Sequence, residues 1–116
     1  MDTPYRRILI VRLSSLGDTV LTMPLLFALR SRAPTAYIGW VIGEAASPLL
    51  EALPQLDCVH VWKNRDREPF GLLRLARELR SKHYEVSIDP QGLAKSAILP
   101  ILAGIRERVG RRCVRS

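Results

Sequence analysis

Residues 7–18 read RILIVRLSSLGD, which contains the signals of a strand, a turn and a helix start in direct succession. Its first half, residues 7–12, is an aliphatic run of the kind found in strands that are buried on both faces of a parallel sheet. Its second half is a short polar turn in which Asp18 is placed to favour a helix start, and a helical spacing of apolar residues continues through residues 17–31. A buried strand, a turn and a helix form the first unit of a parallel α/β fold.

The same alternation continues along the rest of the chain. Right-handed crossovers between such strands give a Rossmann-like three-layer sandwich with a parallel sheet, in which strands one and four lie side by side. Ligands of these sheets bind at the carboxyl ends of the strands, so we expect loop 13–18 to face loop 89–96. The further predicted elements are strands at residues 36–42, 58–62 and 86–89, a fifth strand from 109, and helices at 45–53, from 69 and at 93–103.

Two helices have a spacing of apolar residues that predicts their buried face. The apolar positions of the first helix are Val20, Leu21, Leu25, Ala28 and Leu29. In the third helix we expect Leu72, Leu73, Leu75, Ala76 and Leu79 to face inward and Arg74, Arg77 and Arg80 to face outward.

Composition limits the class of protein. The chain has 116 residues, of which 47% are hydrophobic, as expected for one compact domain. Cys58 and Cys113 lie far apart, without the spacing of a disulfide framework or a zinc site. The absence of a disulfide framework fits a reducing cytoplasm, which is the location we expect. No apolar stretch approaches the roughly 20 residues of a membrane-spanning helix, so we expect none.

The positive charge is concentrated in the second half of the chain. Residues 59–116 hold thirteen basic and six acidic side chains, whereas residues 1–58 hold five of each, so the second half carries the whole net charge of +7. This asymmetry predicts an anionic partner: a phosphate, a sugar acid, a lipid headgroup or nucleic acid.

The first predicted loop ends in Ser-Ser-Leu-Gly-Asp at residues 14–18. It has neither the three glycines of a dinucleotide fingerprint nor the Gly-Lys-Ser/Thr of a P-loop, which excludes the common phosphate cradles. Asp18 then has two interpretations. It is either the cap of the following helix or a general base that accepts a proton from a substrate hydroxyl.

The second predicted loop reads DPQGLAKS over residues 89–96. Lys95 falls in the first turn of the next predicted helix, where unpaired backbone N–H groups already attract anions. A lysine at that position favours a bound phosphate or carboxylate. The alternative is a plain turn followed by an exposed lysine.

Together these two loops resemble glycosyltransferase family 9, the bacterial lipopolysaccharide heptosyltransferases. The Ser-Ser-x-Gly-Asp segment of that family stands here at residues 14–18, and its Leu-Thr-x-Pro stretch stands at residues 21–24. The resemblance extends from Arg6 to about Gly110. Residues 88–97 are most similar to the type I enzymes, with Pro90 where alanine is more usual.

The resemblance implies a GT-B enzyme, in which two Rossmann-like domains enclose a cleft. Heptose would move with inversion from ADP-heptose to a Kdo residue of Kdo-lipid A, without a metal ion or other cofactor, and Asp18 would be the catalytic base. Residues 1–116 would form the N-terminal, acceptor-side domain of an enzyme at the inner face of the inner membrane. Because the nucleotide-sugar-binding domain would be absent, this chain alone would be inactive.

The resemblance also implies a set of substrate-binding residues in three loops. Lys63, Arg65 and Arg67 follow the third strand, where a solvated run of charge is the alternative interpretation. The set is Ser14, Ser15, Gly17, Lys63, Arg65, Arg67, Gln91, Gly92, Lys95 and Ser96.

Two other classes of protein compete with this interpretation. A nucleic-acid-binding module would use the basic second half, but the sequence has no aromatic-rich strand motif and no basic recognition helix. A phosphoacceptor domain would use Asp89, but such sites collect further acidic residues for magnesium after the first strand.

Overall fold

A computed structural model describes residues 5–12, 16–62, 69–89, 100, 103–105 and 107–110. Its strands form one five-stranded sheet of order β3-β2-β1-β4-β5, in which every adjacent pair is parallel. The elements are β1 (Arg7–Val11), α1 (Leu16–Arg32), β2 (Tyr37–Gly43), a 3₁₀ turn (Glu44–Ala46), α2 (Ser47–Glu51), β3 (Cys58–Trp62), α3 (Pro69–Ser81), β4 (Val86–Asp89) and β5 (Glu107–Gly110). The parallel α/β fold is therefore confirmed.

The aliphatic run of β1 forms the centre of the sheet. Ile10 pairs with Trp40 of β2 on one side and with Ile88 of β4 on the other. Ile8 to Val11 are almost completely buried, because helices cover both faces of the sheet. The predicted adjacency of strands one and four is confirmed, and their carboxyl ends lie at the same edge.

Two clusters of apolar side chains, one on each face of the sheet, form the core. Ile8 and Ile10 of β1 pack with Leu26 of α1 and Leu50 of α2. Leu9 and Val11, which point the other way along the same strand, pack with residues of α3. Trp40 packs in the first of these clusters and Trp62 against the second.

The buried face of α1 differs from the predicted one. Val20 and Leu21 are exposed, with 77% of Leu21 accessible, whereas Thr19, Thr22 and Leu26 are buried. Apolar residues occur all round this helix, so their spacing does not define one face. Burying a threonine costs little here, because the Thr22 hydroxyl donates a hydrogen bond to the Asp18 carbonyl oxygen at 2.8 Å.

In α3 the predicted orientation is largely correct. Leu75, Ala76 and Leu79 are buried, Leu72 is half-buried, and Arg74, Arg77 and Arg80 are exposed. Leu73 is the exception, since about half of it is exposed. It lies four and seven residues before Arg77 and Arg80 and therefore shares their outer face.

Two predicted helices have different bounds or fall outside the description. The helix expected at residues 45–53 is a 3₁₀ turn followed by the short α2, which starts next to Pro48, a residue without an N–H to continue a preceding helix. Most of the helix expected at residues 93–103 lies outside the described residues. Its expected end is supported by Gly104, whose φ of 79° is left-handed, and by the bond from the Ile105 N–H to the Pro100 carbonyl.

Among the described residues, no helix combines the length and the apolar character that crossing a membrane requires.

Candidate functional site

The candidate site starts where β1 ends and α1 begins. Arg12 directly follows β1, and Asp18 lies in the first turn of α1. Arg12 Nη2 is 3.2 Å from Asp18 Oδ1, an ion pair across the loop that joins the two elements. Only 13% of the Arg12 side chain is exposed, compared with 43% of the Asp18 side chain. The carboxylate is thus held from the protein side and remains accessible from the solvent side.

The backbone of Arg12 is fixed from β2. Its N–H donates to the Val41 carbonyl at 3.1 Å, and its carbonyl accepts a hydrogen bond from Trp40 Nε1 at 3.3 Å. Trp40 is completely buried, so its indole ring is a rigid donor. Trp40 therefore both packs in the core and holds the Arg12 backbone in place.

Gly17, a predicted substrate-binding residue, lies beside this ion pair. An added Cβ at Gly17 would have open space around it, within the part of the chain that the structure describes. Neither crowding nor a left-handed backbone therefore explains the glycine.

The second predicted loop begins at Asp89, the last residue of β4. Because Ile88 pairs with Ile10 of β1, β4 ends next to the strand that leads to Arg12. Only 7% of Asp89 is exposed, which argues against its alternative role as a phosphoacceptor, since that role needs access for a phosphoryl donor.

Several predicted site residues lie outside the described residues. Gly17 and Asp18 are the members of the predicted site that the structure places. The others are Ser14, Ser15, Lys63, Arg65, Arg67, Gln91, Gly92, Lys95 and Ser96, and their roles stay predictions.

No group of three or more His, Cys, Asp or Glu side chains within the described ranges is arranged to hold a metal ion. The expectation that the reaction needs no metal or other cofactor stays a prediction.

A second polar cluster lies on the α3 side of the sheet. His60 of β3 is completely buried; its Nδ1–H donates to the Glu78 carboxylate at 2.5 Å and its Nε2 accepts from the Tyr84 hydroxyl at 2.7 Å. The tautomer follows from these partners, because a carboxylate can only accept. The Tyr84 ring comes so close to β2 that a Cβ at Gly39 would collide with its hydroxyl.

Burial shifts the pKa values of His60 and Tyr84 in opposite directions. It lowers the pKa of His60 below the ordinary value of 6.5; the hydrogen bond to Glu78 opposes this shift and Lys82 adds to it. Burial also raises the pKa of Tyr84, and Cys58 and Tyr37 add to that rise. His60, at the centre of the cluster, is neutral. Glu78 and Tyr84 lie 18 and 24 positions after His60 in the sequence, a separation that no local pattern predicts.

The sheet order and the acid at its first crossover define a class: doubly wound α/β domains that bind ligands at the carboxyl edge of the sheet. Comparison with known proteins narrows this class. Residues 72–115 match the sequence profile of glycosyltransferase family 9 (heptosyltransferase). The chain is 31% identical to lipopolysaccharide heptosyltransferase 1 of Campylobacter coli over 93 residues, which cover 80% of this chain and 27% of that enzyme.

Solved structures agree with the sequence match. The structure of glycosyl transferase family 9 from Veillonella parvula DSM 2008 superposes with a TM-score of 0.86 at 28% identity, over 99% of this chain and 35% of that one. E. coli ADP-heptose lps heptosyltransferase II superposes with a TM-score of 0.76 at 29% identity, over 90% of this chain and 30% of that one. In sequence and in fold, the chain is thus similar to glycosyltransferase family 9.

This finding confirms the resemblance stated from the two loops and does not favour the nucleic-acid-binding alternative. Type 1 and type 2 enzymes match at similar identity, 31% and 29%. The chain spans about a third or less of the length of these relatives. The activity and substrates of the whole enzyme are therefore proposed below.

Proposed function

We propose that this chain is the acceptor-side, N-terminal domain of a heptosyltransferase of lipopolysaccharide core biosynthesis. The enzyme transfers heptose from ADP-heptose to a Kdo residue of Kdo-lipid A with inversion. The observation that supports this proposal best is the Asp18 carboxylate, half-exposed at the carboxyl edge of the sheet and paired with Arg12 at 3.2 Å.

The chemistry of the proposal is a direct displacement. Asp18 accepts the proton of the acceptor hydroxyl while the hydroxyl oxygen attacks the anomeric carbon of heptose. The bond from that carbon to the ADP phosphate oxygen breaks on the opposite face, and the electron pair leaves with ADP. One displacement inverts the anomeric configuration, as in other inverting reactions at a sugar carbon.

The distribution of charge suits the proposed acceptor. Kdo is a sugar acid carried on a phosphorylated lipid, and residues 59–116 carry the whole excess of positive charge. Electrostatic attraction would bring such an acceptor, and the anionic surface that contains it, to this domain. A cytoplasmic enzyme that binds peripherally at the inner face of the inner membrane follows from the same proposal.

Replacing Asp18 tests the proposal. In the intact enzyme that contains this domain, we expect Asp18→Asn to lower kcat by about 10²- to 10⁴-fold, because the carboxamide has the shape of the base but cannot take the proton. ADP-heptose binding should change little. ADP release and product mass measure transfer, and calorimetry measures donor binding.

Glu51→Gln is the matched control, since it also exchanges a carboxylate for an amide, at an exposed position of α2. It should transfer heptose at the unmodified rate. If Asp18→Asn retains full turnover, Asp18 is not the base.

A further inference from the structure

Arg12 is an unusual residue for its position. It follows the central strand of the sheet, and most of its side chain is inaccessible to solvent. Within the described ranges, its Nε–H has no hydrogen-bond acceptor although it is buried. A buried guanidinium with an unused donor costs free energy, so stability alone does not explain an arginine here.

Among the described residues, the Arg12 guanidinium forms an ion pair with the Asp18 carboxylate. A guanidinium is planar and cannot lose its proton in this setting, so it fixes both the place and the direction of a paired carboxylate. An exposed carboxylate without such a partner would sample several rotamers. With 43% of its side chain exposed, Asp18 gains an orientation from this ion pair that solvent alone would not give it.

The restraint is effective only if Arg12 is itself held. The bonds from its N–H to Val41 and from Trp40 Nε1 to its carbonyl fix its backbone to β2, in the middle of the sheet. A continuous series of contacts thus runs from the buried Trp40 through Arg12 to the exposed acid. The inner members of this series, the Trp40 ring and the Arg12 backbone, have little freedom to move.

We propose that Arg12 is a positioning residue for the general base, and that Trp40 supports it from β2. This inference rests on the proposed function, because it assigns Arg12 a role in placing the Asp18 carboxylate against the acceptor hydroxyl. Arg12 acts through Asp18 and makes no contact with either substrate in this scheme. An error of about 1 Å in the placement of a reacting group can lower a rate about 100-fold.

The first test removes the Arg12 side chain in the intact enzyme. We expect Arg12→Ala to lower kcat by about 10- to 100-fold, while KM for ADP-heptose and for Kdo-lipid A changes less than about twofold. Arg12→Lys should recover part of the loss, since an ammonium group can still pair with the carboxylate. Added guanidinium chloride at millimolar concentration should also raise the rate of Arg12→Ala.

Two further variants separate positioning from folding. Arg32→Ala removes an exposed arginine from the last turn of α1 and should leave kcat unchanged. Trp40→Phe keeps a buried ring but removes the donor to the Arg12 carbonyl, and it should lower kcat by a smaller factor than Arg12→Ala. Circular dichroism and thermal unfolding of each variant identify any loss of rate that comes from loss of structure.

A double-mutant cycle decides whether Arg12 acts through Asp18. Adding Arg12→Ala to Asp18→Asn should produce no further decrease in kcat, because the carboxylate to be positioned is already gone. If the two substitutions lower kcat by factors that multiply, the inference is overturned. Full activity of Arg12→Ala, or a rise in the KM of the acceptor with kcat unchanged, would also overturn it. If the unmodified enzyme releases no ADP at all, it is the proposed function that fails.

Discussion

At the scale of single residues, the Arg12–Asp18 pair and the His60 cluster bury polar side chains in different ways. Arg12 is paired with Asp18, which remains accessible to solvent at the edge of the sheet. His60 is buried between Glu78 and Tyr84 and is held in its neutral form. The first arrangement suits chemistry, and the second gives the fold a dependence on pH.

The direction of that dependence follows from the lowered pKa of His60. Below pH 6.5 the unfolded chain binds a proton at this residue, while the folded chain does not until the pH reaches its lower folded pKa. Unfolding therefore takes up a proton in this window, and stability falls as the pH is lowered through it, by at most about 1.4 kcal/mol per pH unit. Stability from this source is fully present above pH 6.5.

Urea unfolding at pH 7.5, 6.5 and 5.5 measures the effect. We expect the midpoint to fall between pH 6.5 and 5.5, and His60→Gln to flatten this fall while lowering stability at every pH. His83→Asn is the control, because His83 is an exposed turn residue whose positive φ of 55° suits asparagine. An unchanged slope in His60→Gln would show that another group causes the pH dependence.

At the scale of elements, the strands were predictable and the rotation of α1 was not. The strands are short aliphatic runs buried on both faces, so their sequences do not depend on which side faces a helix. The first helix has apolar residues on every side, and the orientation it adopts is set by contacts with the sheet. The Arg12–Asp18 pair was missed for a similar reason, since it depends on how the loop between β1 and α1 closes.

Truncation of two leucines tests the orientation of α1. Leu26 is completely buried against β1 and β2, so Leu26→Ala should lower the free energy of unfolding by about 2–5 kcal/mol. Leu21 is 77% exposed, and Leu21→Ala should change it by less than about 0.5 kcal/mol. Chemical denaturation of both variants measures the difference. The reverse order would support the face predicted from the sequence.

At the scale of the whole molecule, β1 and β4 end side by side at the carboxyl edge of the described sheet. The acid lies at this edge, and the loops that contain the other predicted site residues start from it. The sequence predicted this edge because strand order follows from the alternation of strands and helices. Lys95 and the basic residues 63, 65 and 67 lie outside the described residues, so their roles stay predictions. The expected inactivity of this chain alone also stays a prediction.

A crystal structure of the intact Asp18→Asn enzyme with ADP-heptose and a Kdo-lipid A analogue would show whether residue 18 faces the acceptor. We expect the attacking hydroxyl of Kdo to lie within about 3 Å of the residue 18 side chain, with Arg12 behind that side chain. A Kdo hydroxyl bound at another edge of the sheet, with residue 18 turned away from the sugar, would contradict this expectation.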